Sequence, residues 1–445
     1  MFVVYSLLFV LGALLVAPAY VWRYRKKHFL RKSWRERLGY LPDSIHPQQS
    51  GAIWIHAVSV GETLAVAGLA DALAEQYPGR PIYLSHVTPT GREAGEKRLS
   101  QVAGRFYLPL DMPGPVHRVM RRLRPSLLLI VETELWPNLL RAAHRSGAQV
   151  VLINARLSDR SAKGYRLLRP FMRRVFENAD WILAQTPQDA ERFRRIGARP
   201  ERVLMMGNLK FDSRPLSSNE FAAALKIALA AADRSPVVVA ASTMPGEEEL
   251  VLRAWSEVKK ADPRSILILA PRHPTRFDEV ARLLGDRGHA FVRRSALGAG
   301  SQATISGAGQ LAAAEVLLLD SLGELAGIFE LASVVFIGGS LVPTGGHNLI
   351  EAAVWGKPVI FGPHMENFRD AARLLLEAHG AIQAADWTAL AAAILKLLGD
   401  EAERRRMGEA ARNVTERESG ATARILDHIA SLLGEDASSQ RRPSA

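Results

Sequence analysis

Cysteine is absent from the 445 residues. That excludes disulfides, thiolate metal sites and a thiol nucleophile. Several motifs are missing as well. There is no GxxxxGK[ST], and Gly356-Lys357 is followed by Pro358, so P-loop phosphate chemistry is not indicated. No GxGxxG follows the first apolar run, which argues against a dinucleotide oxidoreductase. No HExxH is present, and no two aspartates stand as DxD, a common metal-diphosphate clamp. The expectation is a mechanism with no metal and no cofactor.

What is present is a globular composition, 48% hydrophobic and 23% charged, with a formal charge of +12. The length suggests two or three domains. A basic excess points to an anionic partner: nucleic acid, lipid headgroups or a phosphorylated substrate. The excess is confined to one half. Residues 1–212 carry a net +15 and residues 213–445 a net −3, so a large anion is expected on the first half.

Residues 1–22 contain no charged side chain, whereas eight Lys or Arg and one Glu fall between Arg23 and Arg37. A helix of this length reaches about 33 Å, enough to cross a bilayer core. The basic flank follows the apolar stretch, the reverse of a secretory signal, and predicts a cytoplasmic body. The same flank suits anionic lipid. Pro18 also permits a kinked helix dipping into one leaflet, and a buried first helix of a soluble protein is the plain alternative.

Beyond the anchor, short apolar runs alternate with helical patterns. The runs are 53–60, 81–87, 126–132, 149–155, 181–186 and 203–207, then 236–242, 265–273, 289–295, 316–321, 334–340 and 357–363. This order predicts an α/β protein with two doubly wound, Rossmann-like parallel sheets. The expected boundaries are an anchor at 1–22, a first domain at 23–212, a linker at 213–235, a second domain at 236–433 and a disordered tail at 434–445. Ligands in such sheets bind beyond the carboxyl ends of the strands, which places a site in a cleft between paired domains.

The informative residues stand where those runs stop. Val60-Gly61-Glu62 ends the first run. Glu62 reads either as a helix cap or as a general base, with His56 and Ser59 upstream able to hydrogen-bond it. Glu132 and Glu134 straddle the end of a very apolar run, where a carboxylate is costly unless paired. Lys210 closes the first half, as a solvated lysine or as a cation for a phosphate. In the second half Pro271 and Arg272 end a buried run, and an arginine there is a fork for phosphate or carboxylate. Leu322-Gly323-Glu324 ends another. The most specific stretch is 338–353, a glycine-rich loop running into a helix, with Asn348, Leu349, Ile350 and Glu351 at the join. Free amides at such a helix start suit a phosphate, and the stretch has the shape of a nucleotide-sugar site.

Quoted in order, HAVSVGE (56–62), TPTG (88–91), ETELWPN (132–138), NARLS (154–158), LKFD (209–212), PRHP (271–274), GEL (323–325) and GGHNLIEAA (345–353) resemble the Kdo transferases of lipopolysaccharide synthesis. Kdo is 3-deoxy-D-manno-octulosonic acid. The resemblance spans nearly the whole chain, anchor included. It implies a two-domain GT-B glycosyltransferase that moves Kdo from CMP-Kdo to the phosphorylated lipid A precursor, lipid IVA, at the cytoplasmic face of the inner membrane. It implies inversion and no metal. Carried over by motif, Glu62 is the base, and Glu132 and Lys210 are transition-state stabilisers. Pro271, Arg272, Leu322, Gly323, Glu324, Asn348, Leu349, Ile350 and Glu351 match the CMP-binding segments. Where many members read NPLE, this chain reads Asn348-Leu349-Ile350-Glu351; where many read IGE or MGE, it reads Leu322-Gly323-Glu324. Both changes are apolar and leave backbone contacts intact.

The chemistry is consistent with that implication. An acceptor hydroxyl is a poor nucleophile, and Glu62 would remove its proton. Lys210, Arg272 and the amides at 346–348 would stabilise the departing phosphate in place of a metal. The basic first half, including seven Lys or Arg from Arg156 to Arg174, suits a phosphorylated lipid and an anionic membrane rather than nucleic acid. A membrane-associated GT-B transferase with another nucleotide sugar is the alternative.

Overall fold

The computed structural model describes residues 1–24, 29–46, 51–212, 220–298 and 308–439. The chain forms two compact units. One comprises Met1–Asp212 together with Ser419–Ala445, the other Ser213–Glu418.

In the first unit seven strands form a parallel sheet: β1 Ala52–His56, β2 Ile82–His86, β3 Gly104–Tyr107, β4 Pro125–Val131, β5 Gln149–Ala155, β6 Trp181–Ala184 and β7 Val203–Met205. Their order is β3-β2-β1-β4-β5-β6-β7. The apolar runs are continuous because both sheet faces are covered. Alternate residues serve opposite cores. Trp54, Leu128, Ile130, Val150 and Leu152 join one cluster. Ile53, Ile55, Leu127, Leu129, Val131 and Ile153 join the other, with Leu69 and Leu73 of the helix Val60–Gln76.

The second cluster contains a feature absent from the sequence reading. Ala421, Ile425, Ile429, Leu432 and Leu433 of the last helix, Ala421–Ser439, pack into it. The expected second domain ran to 433, but the chain from Ser419 belongs with the first unit. Helix also extends through 434–439, where a disordered tail was expected; 440–445 lie outside the described residues.

The second unit repeats the plan with β8 Val237–Thr243, β9 Ile266–Pro271, β10 Phe291–Arg293, β11 Val316–Leu318, β12 Val334–Ile337, β13 Val359–Phe361 and β14 Ala381–Gln383. The order is β10-β11-β9-β8-β12-β13-β14. Within the expected linker, the helix Glu220–Ala231 forms and buries Phe221, Leu225 and Leu229; 213–219 lie outside the described residues. Strand order reverses between β1 and β4 in one sheet and between β8 and β12 in the other, and crevices for ligands open at such points.

The N-terminal helix spans Phe2–Tyr24. The expected membrane crossing by 1–22 is not supported: among the described residues, no helix is long and apolar enough to cross a membrane. The packing supplies a physical reason, because the first turns lie on the first unit. Tyr5 stacks on Phe171 and Phe2 meets it edge-on, both with ring centroids 5.9 Å away, and the Arg141 guanidinium sits 4.7 Å over Phe2. Asn138 Nδ2 donates to Ser6 Oγ at 3.0 Å, and the Tyr5 hydroxyl bonds the buried Asp111 carboxylate. The opposite face is bare: Val3, Leu7, Leu11 and Leu15 form an exposed row at helical spacing.

Candidate functional site

The turn after β1 sets up Glu62. Ser59 caps the helix Val60–Gln76, its hydroxyl accepting the Glu62 amide at 3.4 Å. The Glu62 carboxylate turns back. Oε2 accepts the Val58 amide at 2.8 Å and Oε1 accepts the Ser59 hydroxyl at 2.9 Å. This is close to a capping box, so the capping reading of Glu62 describes part of what it does. The other part is electrostatic. Burial, with Glu132 and Glu134 adding negative charge, pushes the carboxyl from its ordinary 4.5 up to about 7. A carboxyl in that range is half-ionised near neutrality, the condition for a general base. Of the two upstream partners named from sequence, Ser59 bonds Glu62. His56 instead bonds Ser85 Oγ at 2.9 Å and is fully buried; burial lowers its ring to about 3.

Glu132 directly follows β4 in a left-handed conformation, φ 60°, with its amide on the Ile153 carbonyl at 3.0 Å. Lys210 Nζ lies 3.3 Å from Glu132 Oε1, and Arg156 Nη1 4.0 Å from Oε2. The carboxylate at the mouth of this apolar strand is therefore paired, as burial requires. Its neighbour Glu134 is raised by burial. Lys210 belongs to the short turn Leu209–Asp212. Asp212 closes that turn by accepting the amides of Gly420, at 2.5 Å, and Thr422. Thus Glu62, Glu132, Glu134 and Lys210 gather at the β1–β4 reversal of the first unit.

In the second unit Pro271 is the buried end of β9 and Arg272 is exposed beside it. Arg272 lies near His347, whose ring burial lowers to about 4, with Arg272 pushing the same way. The turn after β9 and the glycine-rich loop after β12 therefore converge. Gly338 cannot carry a side chain, because a Cβ would stand 2.7 Å from the Ser242 carbonyl oxygen. Gly346 takes φ 73° and donates to the Gly339 carbonyl at 2.8 Å, folding the loop on itself.

The helix expected at 348 is a single turn, Ile350–Ala353. Asn348 Oδ1 takes the Ile350 amide at 3.2 Å, and its Nδ2 donates to Glu351 Oε1 at 3.0 Å. The Ile350 amide is thus taken by Asn348 and the Gly346 amide by Gly339, so two of the amides near the join are already used within the chain. Leu349 and Ile350 are fully buried and leave only backbone for a ligand. Leu322 and Gly323 are exposed. The Glu324 carboxylate is held by Arg294 at 2.9 and 2.7 Å and by the Ser321 hydroxyl.

Sequence reasoning missed Glu247. Fully buried at the β8–β12 reversal, its carboxylate accepts the amides of Gly339 at 2.6 Å, Ser340 at 3.0 Å, Leu341 at 2.9 Å and Met244 at 3.1 Å. It shapes the glycine-rich loop from beneath. Its only sequence signal was first place among three glutamates opening a helix, which reads as ordinary dipole capping. Among the described residues no group of three or more His, Asp or Glu is placed to hold a metal ion.

Residues 32–213 match the family model described as 3-deoxy-D-manno-octulosonic-acid transferase (kdotransferase), and 311–414 the model for glycosyl transferases group 1. The 3-deoxy-D-manno-octulosonic acid transferase of Bordetella pertussis is 40% identical over 86% of this chain and 87% of its own. That of Haemophilus influenzae is 35% identical over 91% and 92%. Among solved structures, Anabaena HepE in complex with UDP has a TM-score of 0.56 at 15% identity, covering 86% of this chain and 100% of that one; the likeness is one of fold. With two doubly wound sheets of the GT-B kind and relatives this similar along most of their length, the chain belongs to the family of Kdo transferases and is a glycosyltransferase.

Proposed function

We propose that the protein transfers Kdo from CMP-Kdo to the phosphorylated lipid A precursor, lipid IVA, with inversion and without a metal ion. The observation that carries this reading is the Glu62 carboxyl, oriented by Val58 and Ser59 and poised at about 7. Glu62 takes the proton of an acceptor hydroxyl. That oxygen bonds the anomeric carbon of Kdo as the bond from that carbon to the phosphate oxygen breaks, and CMP leaves with the electron pair. One in-line displacement inverts the centre and needs one base. Lys210 offers positive charge to the anionic groups of the donor, and Glu132 holds Lys210 and offers negative charge to the cationic sugar carbon. In the second unit Arg272, the backbone at 322–324 and 348–351 and the loop over Glu247 hold CMP.

We infer attachment to the cytoplasmic face of the inner membrane through the side of the N-terminal helix rather than across the bilayer. The exposed row Val3, Leu7, Leu11 and Leu15 supports this. So do the exposed Leu167 and Leu168, flanked by exposed Arg160, Lys163, Arg166, Arg169, Arg173 and Arg174. The same cations suit the acceptor phosphates. Mass spectrometry of the product formed from CMP-Kdo and lipid IVA tests donor, acceptor and number of sugars together. Consumption of a UDP-sugar with CMP-Kdo untouched would overturn the reading.

A further inference from the structure

We propose that Asn154 is a positioning residue for Lys210, fixing where its ammonium stands against Glu132. The inference rests on the reading of Lys210 as a transition-state stabiliser.

Asn154 is fully buried near the end of β5. Its Oδ1 accepts the Leu209 amide at 3.0 Å. Leu209 precedes Lys210 and opens the turn that carries it, with its side chain buried in the core. The far end of that turn is tied down by Asp212. The residue before Asn154 does the matching task for the partner, since the Ile153 carbonyl accepts the Glu132 amide at 3.0 Å. The two members of the Lys210–Glu132 pair therefore hang from consecutive residues of one strand. The end of β5 acts as the ruler for their 3.3 Å separation.

Two further observations concern the same residue. Asn154 adopts a left-handed φ of 51°, beside Glu132 at φ 60° just past the end of the adjacent strand. Non-glycine residues in that region gather at functional sites, and asparagine tolerates it better than most. Among the described residues its Nδ2 is buried with no hydrogen-bond partner, so the side chain's bond is the one to Leu209. The Asn154 carbonyl is held in turn by Gln185 Nε2 at 2.9 Å, which fixes the residue that fixes the turn.

The test is a double-mutant cycle, Asn154→Gly with Lys210→Ala, using CMP-Kdo and lipid IVA. Glycine keeps the left-handed backbone and deletes the side chain. The expected result is a fall in kcat of about 10- to 100-fold with KM for CMP-Kdo within about twofold, since misplacement of a charge by about 1 Å has effects of that size. In the Lys210→Ala background the same change has no further effect. An equal loss in both backgrounds would make Asn154 merely structural and overturn the proposal. Asn154→Asp keeps the acceptor for Leu209 and is the second variant should glycine unfold the protein; it retains more kcat than Asn154→Gly or the proposal fails. A direct reading separates this inference from the one beneath it. The NMR signal of the Lys210 ε-carbon shifts in Asn154→Gly if Asn154 positions it, whether or not Lys210 serves catalysis. An unmoved signal sinks the positioning role. A moved signal with Lys210→Ala fully active leaves positioning intact and removes Lys210 from the mechanism.

Discussion

Replacing Ser59 by alanine removes one of the two hydrogen bonds to the Glu62 carboxylate and leaves the Val58 amide in place. Both bonds favour the charged form, while burial and the nearby carboxylates oppose it. A hydrogen bond to a charged group contributes about 1.5–3 kcal/mol. Ser59 is only half-buried, so the lower end applies, about 1.5 kcal/mol, close to one pKa unit. The carboxyl, already at about 7, moves up by that unit. A base acts only when ionised, so the acid limb of kcat/KM for Kdo transfer moves to higher pH by the same amount. At pH 7 the variant is about fivefold slower, and near pH 9 it approaches the wild-type rate. Loss of the cap lowers stability separately, by about 1 kcal/mol, which thermal unfolding reads. Initial rates between pH 5 and 9 decide the matter. A uniform loss of rate with the limb unmoved refutes the assignment of Glu62 as the titrating base held by Ser59.

Glu62→Gln abolishes transfer while CMP-Kdo still binds. A carboxyl raised from 4.5 to about 7 resists ionisation in the folded state, so wild-type stability falls as pH rises through that window. The glutamine variant escapes this and is more stable to unfolding at pH 8, by about 1–3 kcal/mol, with the difference vanishing near pH 4. Asp111→Ala strips the caps from Asn138 and Leu139 and frees Tyr5. It destabilises the protein by about 2 kcal/mol or more, and limited proteolysis then cuts next to the N-terminal helix. Glu247→Ala leaves four amides of the loop region without an acceptor. CMP binding by calorimetry weakens at least about tenfold if that loop holds the nucleotide; undiminished binding would place CMP elsewhere.

Most of the fold was legible because both sheets are buried on two faces, so their central strands stand out as continuous apolar runs. The strands the runs missed, β3 and β14, are both sheet edges; shortness is not the cause, since the three-residue edges β7 and β10 were marked by runs. The return of Ala421–Ser439 to the first unit was not legible, since an amphipathic helix does not say which core it completes. The motifs singled out Glu62, Glu132 and Lys210, but not the burial that raises Glu62 or the Lys210–Glu132 ion pair, because both arise only in the folded chain. Asn154 and Glu247 stayed hidden for a related reason. Each acts on backbone amides distant in sequence, Leu209 for the one and 339–341 for the other, and such contacts leave no local pattern.

The returning helix also dictates the order in which this chain matures. Ile425, Ile429 and Leu433 are core residues of a unit whose other strands have all been made by Met205. At ordinary synthesis rates roughly 10 to 40 s separate Asp212 from Leu433 on the ribosome. Throughout that interval Ile53, Leu69 and Val151 await part of their cover, while the whole second unit is synthesised and free to fold. The unit made first is thus the last to be completed.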